Sequence, residues 1–204
     1  NDGKSVAGYP AAYNKLIAVS AIGPDRCPTY YTCYDRGCNV SAPGGEYYRK
    51  SGSTSEAGCV ASTLPGDKYA FMQGTSMACP HVSGVAALGL SYAKQLKRHF
   101  TAEEFKQLMY DSARDIDSYF SGEKLFYMHH TSPGATPIKM NLTDYRGKMG
   151  RLVDAGALLK AIDGSGRDMR IPNIYIAPGA TTTLDLDDYL PSRAKAATVG
   201  NQNI

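Results

Sequence analysis

Gly74-Thr75-Ser76-Met77-Ala78-Cys79-Pro80-His81-Val82-Ser83-Gly84 is the stretch on which the reading of this chain turns. From Ser76 to about Leu96 the residues are mostly small or apolar, among them Ala78, Val82, Val85, Ala86, Ala87, Leu88 and Leu90, with Gly84 and Gly89 between them. This pattern predicts a long helix that opens at the serine and is buried nearly all round. Pro80 falls in its first turn, where a missing N–H costs little. A serine in this place reads either as a plain helix cap or as a nucleophile. Nucleophilic attack needs a base for the hydroxyl proton and fixed donors for the developing oxyanion. The first turn of a helix provides unpaired N–H groups and the positive end of the dipole. His81 lies five residues further on, rotated about 140° around the axis, and so is badly placed to take the Ser76 proton.

Upstream of this helix, strands and turns alternate. The β-branched run ahead of Gly23-Pro24, within residues 11–24, suits a strand buried on both faces. Asn39-Val40-Ser41-Ala42 is a second strand, stopped by Pro43-Gly44-Gly45, and Val60 to Leu64 a third, ending at Pro65-Gly66-Asp67. Downstream, Thr101-Ala102-Glu103-Glu104 is a capping box, followed at helical spacing by Phe105, Leu108 and Met109, so a second helix runs to about Arg114. Residues 117–144 read as a long loop or insertion. Helical patterning resumes from Leu152 to Leu159. After Gly164 the texture becomes strand-like, Ile171 to Ile176 and Thr181 to Leu186 being separated by Pro178-Gly179. Two strands are too few to stand alone. The chain therefore divides at 1–163, the main domain, and 164–204, a linker and β-rich extension that packs on it or starts a further domain.

The 204 residues are 43% hydrophobic and 20% charged, with a net charge of +3 and no basic block, which gives no footprint for nucleic acid. No apolar stretch approaches the roughly 20 residues of a membrane span. Cys27, Cys33 and Cys38 crowd into a Tyr-rich loop, with Cys59 and Cys79 further on. Four of the five suffice for two disulfides, of open pairing, with Cys79 set apart as a buried small hydrophobe. The spacings do not fit a zinc site. Disulfides favour an oxidising compartment, and hence an extracellular or cell-envelope, secreted protein. The sequons at Asn39 and Asn141 decide nothing.

The run from Gly74 to Gly84 resembles the nucleophile motif of the subtilisin-like peptidase (subtilase) family, Gly-Thr-Ser-Met-Ala-x-Pro-His-Val-x-Gly. The resemblance extends to Ala42-Pro43-Gly44, to Ser62 through Tyr69, and to Tyr145 through Ala155, the last being similar to the closing segment of the catalytic domain. It covers about residues 1–163. It implies an α/β fold, the subtilisin-like three-layer sandwich with a mostly parallel sheet, of which this chain holds the C-terminal half. Ser76 is then the catalytic nucleophile of a serine endopeptidase working through an acyl-enzyme. Asn1, in Asn1-Asp2-Gly3, resembles the family's oxyanion donor, and Gly8 its floor for the primary specificity pocket. Tyr9-Pro10 stands where the family has a cis peptide bond. In this family His81 is structural, and the catalytic Asp and His precede the oxyanion Asn, so both are expected upstream of residue 1. The chain alone is expected to be inactive, with a protein or peptide as the substrate of the complete site and the N-terminal part of the same precursor as a partner chain.

Several alternatives remain. His99, His129 and His130 are poor replacements for the base, His99 at the far end of the helix and the other two in a solvated loop. The chemistry requires no cofactor. Calcium supports the fold of this family, but Asp185, Asp187 and Asp188 read better as a solvated strand edge than as a calcium site. An esterase elbow would need Gly two residues after Ser76, where Ala78 stands. The rival from another class is a catalytically silent subtilase-like peptide-binding or scaffold protein.

Overall fold

The computed structural model describes residues 3–5, 8–35, 37–50, 53–126 and 138–165. Strand β1 (Val19–Ile22) and strand β2 (Val40–Pro43) run parallel, Val19 opposite Val40 and Ile22 opposite Pro43. Asn39 fixes this register, its Oδ1 accepting the Ala18 N–H at 2.8 Å. Ser20 and Ser41 are fully buried, and their hydroxyls meet at 2.8 Å, so two polar groups inside the sheet satisfy each other. Two short antiparallel ribbons follow, β3 (Tyr48–Lys50) with β4 (Ser53–Ser55), and β5 (Val60–Leu64) with β6 (Lys68–Met72). The second ribbon turns at Gly66 and Asp67, both at positive φ. It extends the strand expected over 60–64 into a hairpin whose second arm the sequence pattern did not reveal.

Helix α1 (Thr75–Gln95) lies on one face of the sheet. Helix α2 (Ala102–Asp111) starts at Thr101 with the expected capping box, Thr101 Oγ1 accepting the Glu104 N–H and Glu104 Oε2 accepting the Thr101 N–H. Then come strands β7 (Glu123–Phe126) and β8 (Ile138–Asn141), paired antiparallel, and β9 (Arg151–Leu152), which joins β2 in parallel to give the order β1-β2-β9. Helix α3 (Ala155–Asp163) is capped by Asp154 and ends at Gly164 in the left-handed conformation, φ 71°. Successive sheet residues face opposite cores. Ala21, Val40 and Ala42 meet α1, α2 and α3 through Val82, Met109, Leu158 and Ile162, while Ile22 meets Ile116, Phe120, Phe126 and Tyr145 on the other side. This is the mixed helix and parallel-sheet arrangement expected from the sequence. The extension 164–204 lies outside the described residues from 166 onward.

Two expectations need correction. The helix at Ser76 is not buried all round: one stripe, Ala78, Val82, Gly89 and Ala93, packs inward, while Leu88 and Leu90 are about half exposed, at 48% and 50%. At Gly89 this stripe meets Phe105 of α2 and Leu158 and Ile162 of α3. The segment 117–144 is not all loop, since it holds a 3₁₀ turn at Asp117–Tyr119 and the β7–β8 hairpin.

Candidate functional site

The site starts from Gly74. Its φ of 150°, a conformation that side chains disfavour, turns the chain sharply out of β6 and into α1. The Gly74 carbonyl accepts the first helical N–H groups, from Met77 at 3.0 Å and Ala78 at 3.2 Å. The Gly74 N–H donates to Gly44 O at 2.9 Å, so the turn is fastened to the end of β2. Beside it, Gln73 bridges Tyr47 and Tyr30: Oε1 accepts the Tyr47 N–H and Nε2 donates to the Tyr30 hydroxyl, both at 2.9 Å. Tyr31 donates its hydroxyl to Gly45 O at 2.6 Å, and burial pushes its phenol well above the ordinary value. Ser76 thus emerges, exposed, from the first turn of a helix whose entry is held by backbone and tyrosine contacts.

Ser76 opens onto a cavity of about 700 Å³. Gly8 lines it together with Ala12, Ile17, Val19 and Thr32, and no charged side chain is in the lining. Three cysteines also line it, Cys33, Cys38 and Cys79. Cys79 is exposed, contrary to the buried position expected for it. Three residues after Ser76 on the helix, it shares the serine's side, and that spacing was the signal available in the sequence. None of the five cysteines is disulfide-bonded.

His81 is also exposed, and its Nδ1 donates to Met77 O at 2.8 Å, turning the ring onto its own helix. His99 lies beyond the C-terminal end of α1, beside Leu90 and Phe100. The structure therefore brings Ser76 and Gly8 to one cavity and places neither His81 nor His99 at the serine. Asn1, His129, His130 and the Asp185 cluster lie outside the described residues. The Tyr9–Pro10 bond is cis. Among the described residues no three His, Cys, Asp or Glu side chains are grouped to hold a metal ion, and no helix is long and apolar enough to cross a membrane.

Behind the entry turn, Glu46 is 2% exposed and ion-paired to Lys124 of β7, Nζ to Oε2 at 2.6 Å. Lys124 also meets Asp25 at 2.9 Å and donates to Pro28 O at 3.1 Å. Burial pushes the Glu46 carboxyl up, and the charge of Lys124 only partly opposes this. Burial also works against the Lys124 ammonium, but Glu46 and Asp25 outweigh it and hold its pKa above the ordinary value. This triad joins the β7–β8 hairpin to the segment that carries Gly44.

The sequence model of the Subtilase family matches residues 1–146. The major intracellular serine protease of Bacillus subtilis is 33% identical over 123 residues, 59% of this chain and 34% of that protein. Subtilisin DY of Bacillus licheniformis is 32% identical over 123 residues, 60% of this chain and 39% of its own length. Halolysin of Haloferax mediterranei is 38% identical over 91 residues, 45% of this chain and 15% of that protein. Among solved structures, patellamide maturation protease PatA superposes with a TM-score of 0.56 at 21% identity, over 80% of this chain and 49% of that one, a likeness of fold. A protease from Pseudoalteromonas arctica gives 0.52 at 27% identity, over 79% and 40%. The chain spans less than half the length of each of these proteins.

Proposed function

The chain belongs to the Subtilase family of subtilisin-like serine peptidases, and from that premise we propose that it carries the nucleophile and the specificity pocket of a serine endopeptidase. Ser76 attacks the peptide carbonyl, and the oxyanion is received by the Ser76 backbone N–H together with the Asn1 side chain. A histidine base takes the serine proton and an Asp orients that histidine, as in the triad of this family. The observation that carries the reading is an exposed Ser76 in the lining of an uncharged cavity, with Gly8 in the same lining. An uncharged, largely apolar lining favours an apolar substrate side chain there. The half-exposed Leu88 and Leu90 of α1 support a partner segment of the same precursor packing on that side.

Secretion is the expectation from disulfides, and since none of the five cysteines is disulfide-bonded, their number no longer argues for that compartment. The name of the Bacillus subtilis relative is that of an intracellular enzyme, so similarity alone does not select that compartment. The alternative, a silent peptide-binding protein, would have no use for a serine at the head of a helix beside a pocket. The test is fluorophosphonate labelling of the protein together with its upstream segment. An adduct on Ser76 supports the peptidase. Peptide binding with no adduct and no cleavage supports the silent protein.

A further inference from the structure

Cys33 and Cys38 bracket a tight turn. Asp35 at φ 78° and Gly37 at φ 86° reverse the chain between them, and the Cys38 N–H donates to Asp35 O at 3.4 Å. The turn brings the Cys38 thiol to 3.4 Å from the Cys33 carbonyl. Both cysteines are half-buried and line the cavity beside Ser76, so both are open to a small molecule that enters it. The turn is held from outside as well: the Asp35 N–H donates to Lys148 O at 2.7 Å, and Ser5 Oγ donates to Asp35 Oδ2 at 2.5 Å. A Cβ on Gly37 would stand 2.7 Å from the Ala12 Cβ, so the turn rests directly on another residue of the cavity wall.

We propose that Cys33 and Cys38 are a redox pair in the wall of this cavity, converted to a disulfide by exchange with a low-molecular-weight disulfide such as glutathione disulfide. One thiolate attacks the glutathione disulfide and expels one glutathione, and the second thiolate attacks the mixed disulfide and expels the other. Two protein thiols become one disulfide, and one glutathione disulfide becomes two glutathione thiols, so electrons and protons balance. Burial, with Cys33 and Asp35 beside it, pushes the Cys38 thiol up to about 11, so exchange speeds up as the pH rises. The other cysteines are placed differently. Cys27 is buried with its thiol toward Tyr119 O at 3.6 Å, Cys59 lies at the foot of the β5–β6 hairpin, and Cys79 is on α1. A disulfide closing so short a loop restricts the unfolded chain little compared with a long one. Its effect is local: it pins the turn against Ala12 and fixes the width of the pocket.

The exchange itself is independent of the peptidase reading, whereas its effect on substrate choice rests on it. The test uses this chain in glutathione buffers, digested with trypsin after alkylation. Cleavage at Arg26, Arg36 and Arg49 separates Cys33 from Cys38. Oxidation is expected to link peptide 27–36 to peptide 37–49 and to lower the intact mass by two hydrogens, reversibly with dithiothreitol. Cys38→Ser removes the link, while Cys27→Ser and Cys79→Ser keep it. The proposal is overturned if Cys33 and Cys38 each end up with a separate glutathione, if neither reacts, if the link vanishes in Cys27→Ser, or if the Cys79 peptide is the partner. Where the link forms, the complete enzyme should change its relative kcat/KM between small and large apolar side chains on oxidation. Unchanged ratios would overturn the claim on pocket width and leave the redox pair standing.

Discussion

The Gly74 amide donates to the Gly44 carbonyl at 2.9 Å, and through this bond the end of a core strand sets the position of the turn that presents Ser76. Gly44 has no room for a side chain. A Cβ there would stand 2.6 Å from the Ala21 Cβ, 2.7 Å from the Tyr31 hydroxyl and 2.9 Å from Gly74 O. Gly44→Ala should therefore cost about 1–3 kcal/mol by overpacking, and it should displace Ser76. Denaturant unfolding measures the first effect and loss of Ser76 labelling in the complete protein the second. An unchanged midpoint would mean that the strand end does not hold the turn.

Lys124 is the counter-charge to a buried carboxylate. Lys124→Met leaves Glu46 buried without it and should cost about 3–5 kcal/mol near neutral pH. The loss should shrink as the pH falls, because a protonated Glu46 has no charge left to compensate. The pair Lys124→Met with Glu46→Leu should recover most of the loss. In the unchanged chain the raised Lys124 contributes stability that is fully present below its ordinary value of 10.5 and lost as the pH rises through its folded value. Urea unfolding across pH reads both effects.

At the start of α2 the hydrogen bonds from the Thr101 N–H and hydroxyl lower the Glu104 carboxyl below its ordinary value of 4.5. A lowered carboxyl contributes stability above its unfolded pKa and loses it as the pH falls through the folded one. Thr101→Ala should cost about 1 kcal/mol at pH 7, and the difference from the parent should narrow below pH 4.5. Thermal unfolding at the two pH values checks it.

How much of this was legible in the sequence differs from element to element. Ser76 and the start of α1 stood out because the Gly74 to Gly84 run is long, and the Thr101 cap because its two partners are three residues apart. β1 and β2 were visible as short β-branched runs stopped by Gly and Pro. The β7–β8 hairpin was hidden because Lys124 occupies a position that apolar residues usually mark, its charge being met by Glu46 far away in sequence. The burial of α1 was misjudged because small apolar residues occur all round it, whereas its packing is decided by which neighbours reach it. The cavity was half legible: Gly8 and Ser76 were marked by motif, but the gathering of Cys33, Cys38 and Cys79 around one space depends on the fold of the 33–38 turn.

The claim that Ser76, and not a histidine on its own helix, carries the chemistry is tested most directly by steady-state hydrolysis of a peptide by the complete protein, comparing Ser76→Ala with His81→Ala. Removing the nucleophile should lower kcat on the order of 10⁶-fold, the scale known for such a triad in subtilisin. His81 bonds to Met77 O and does not meet the serine, so its removal should leave kcat within about tenfold, a change of no more than ~1.4 kcal/mol in the barrier. Peptide hydrolysis that survives Ser76→Ala, or collapses equally in a folded His81→Ala variant, would contradict the account.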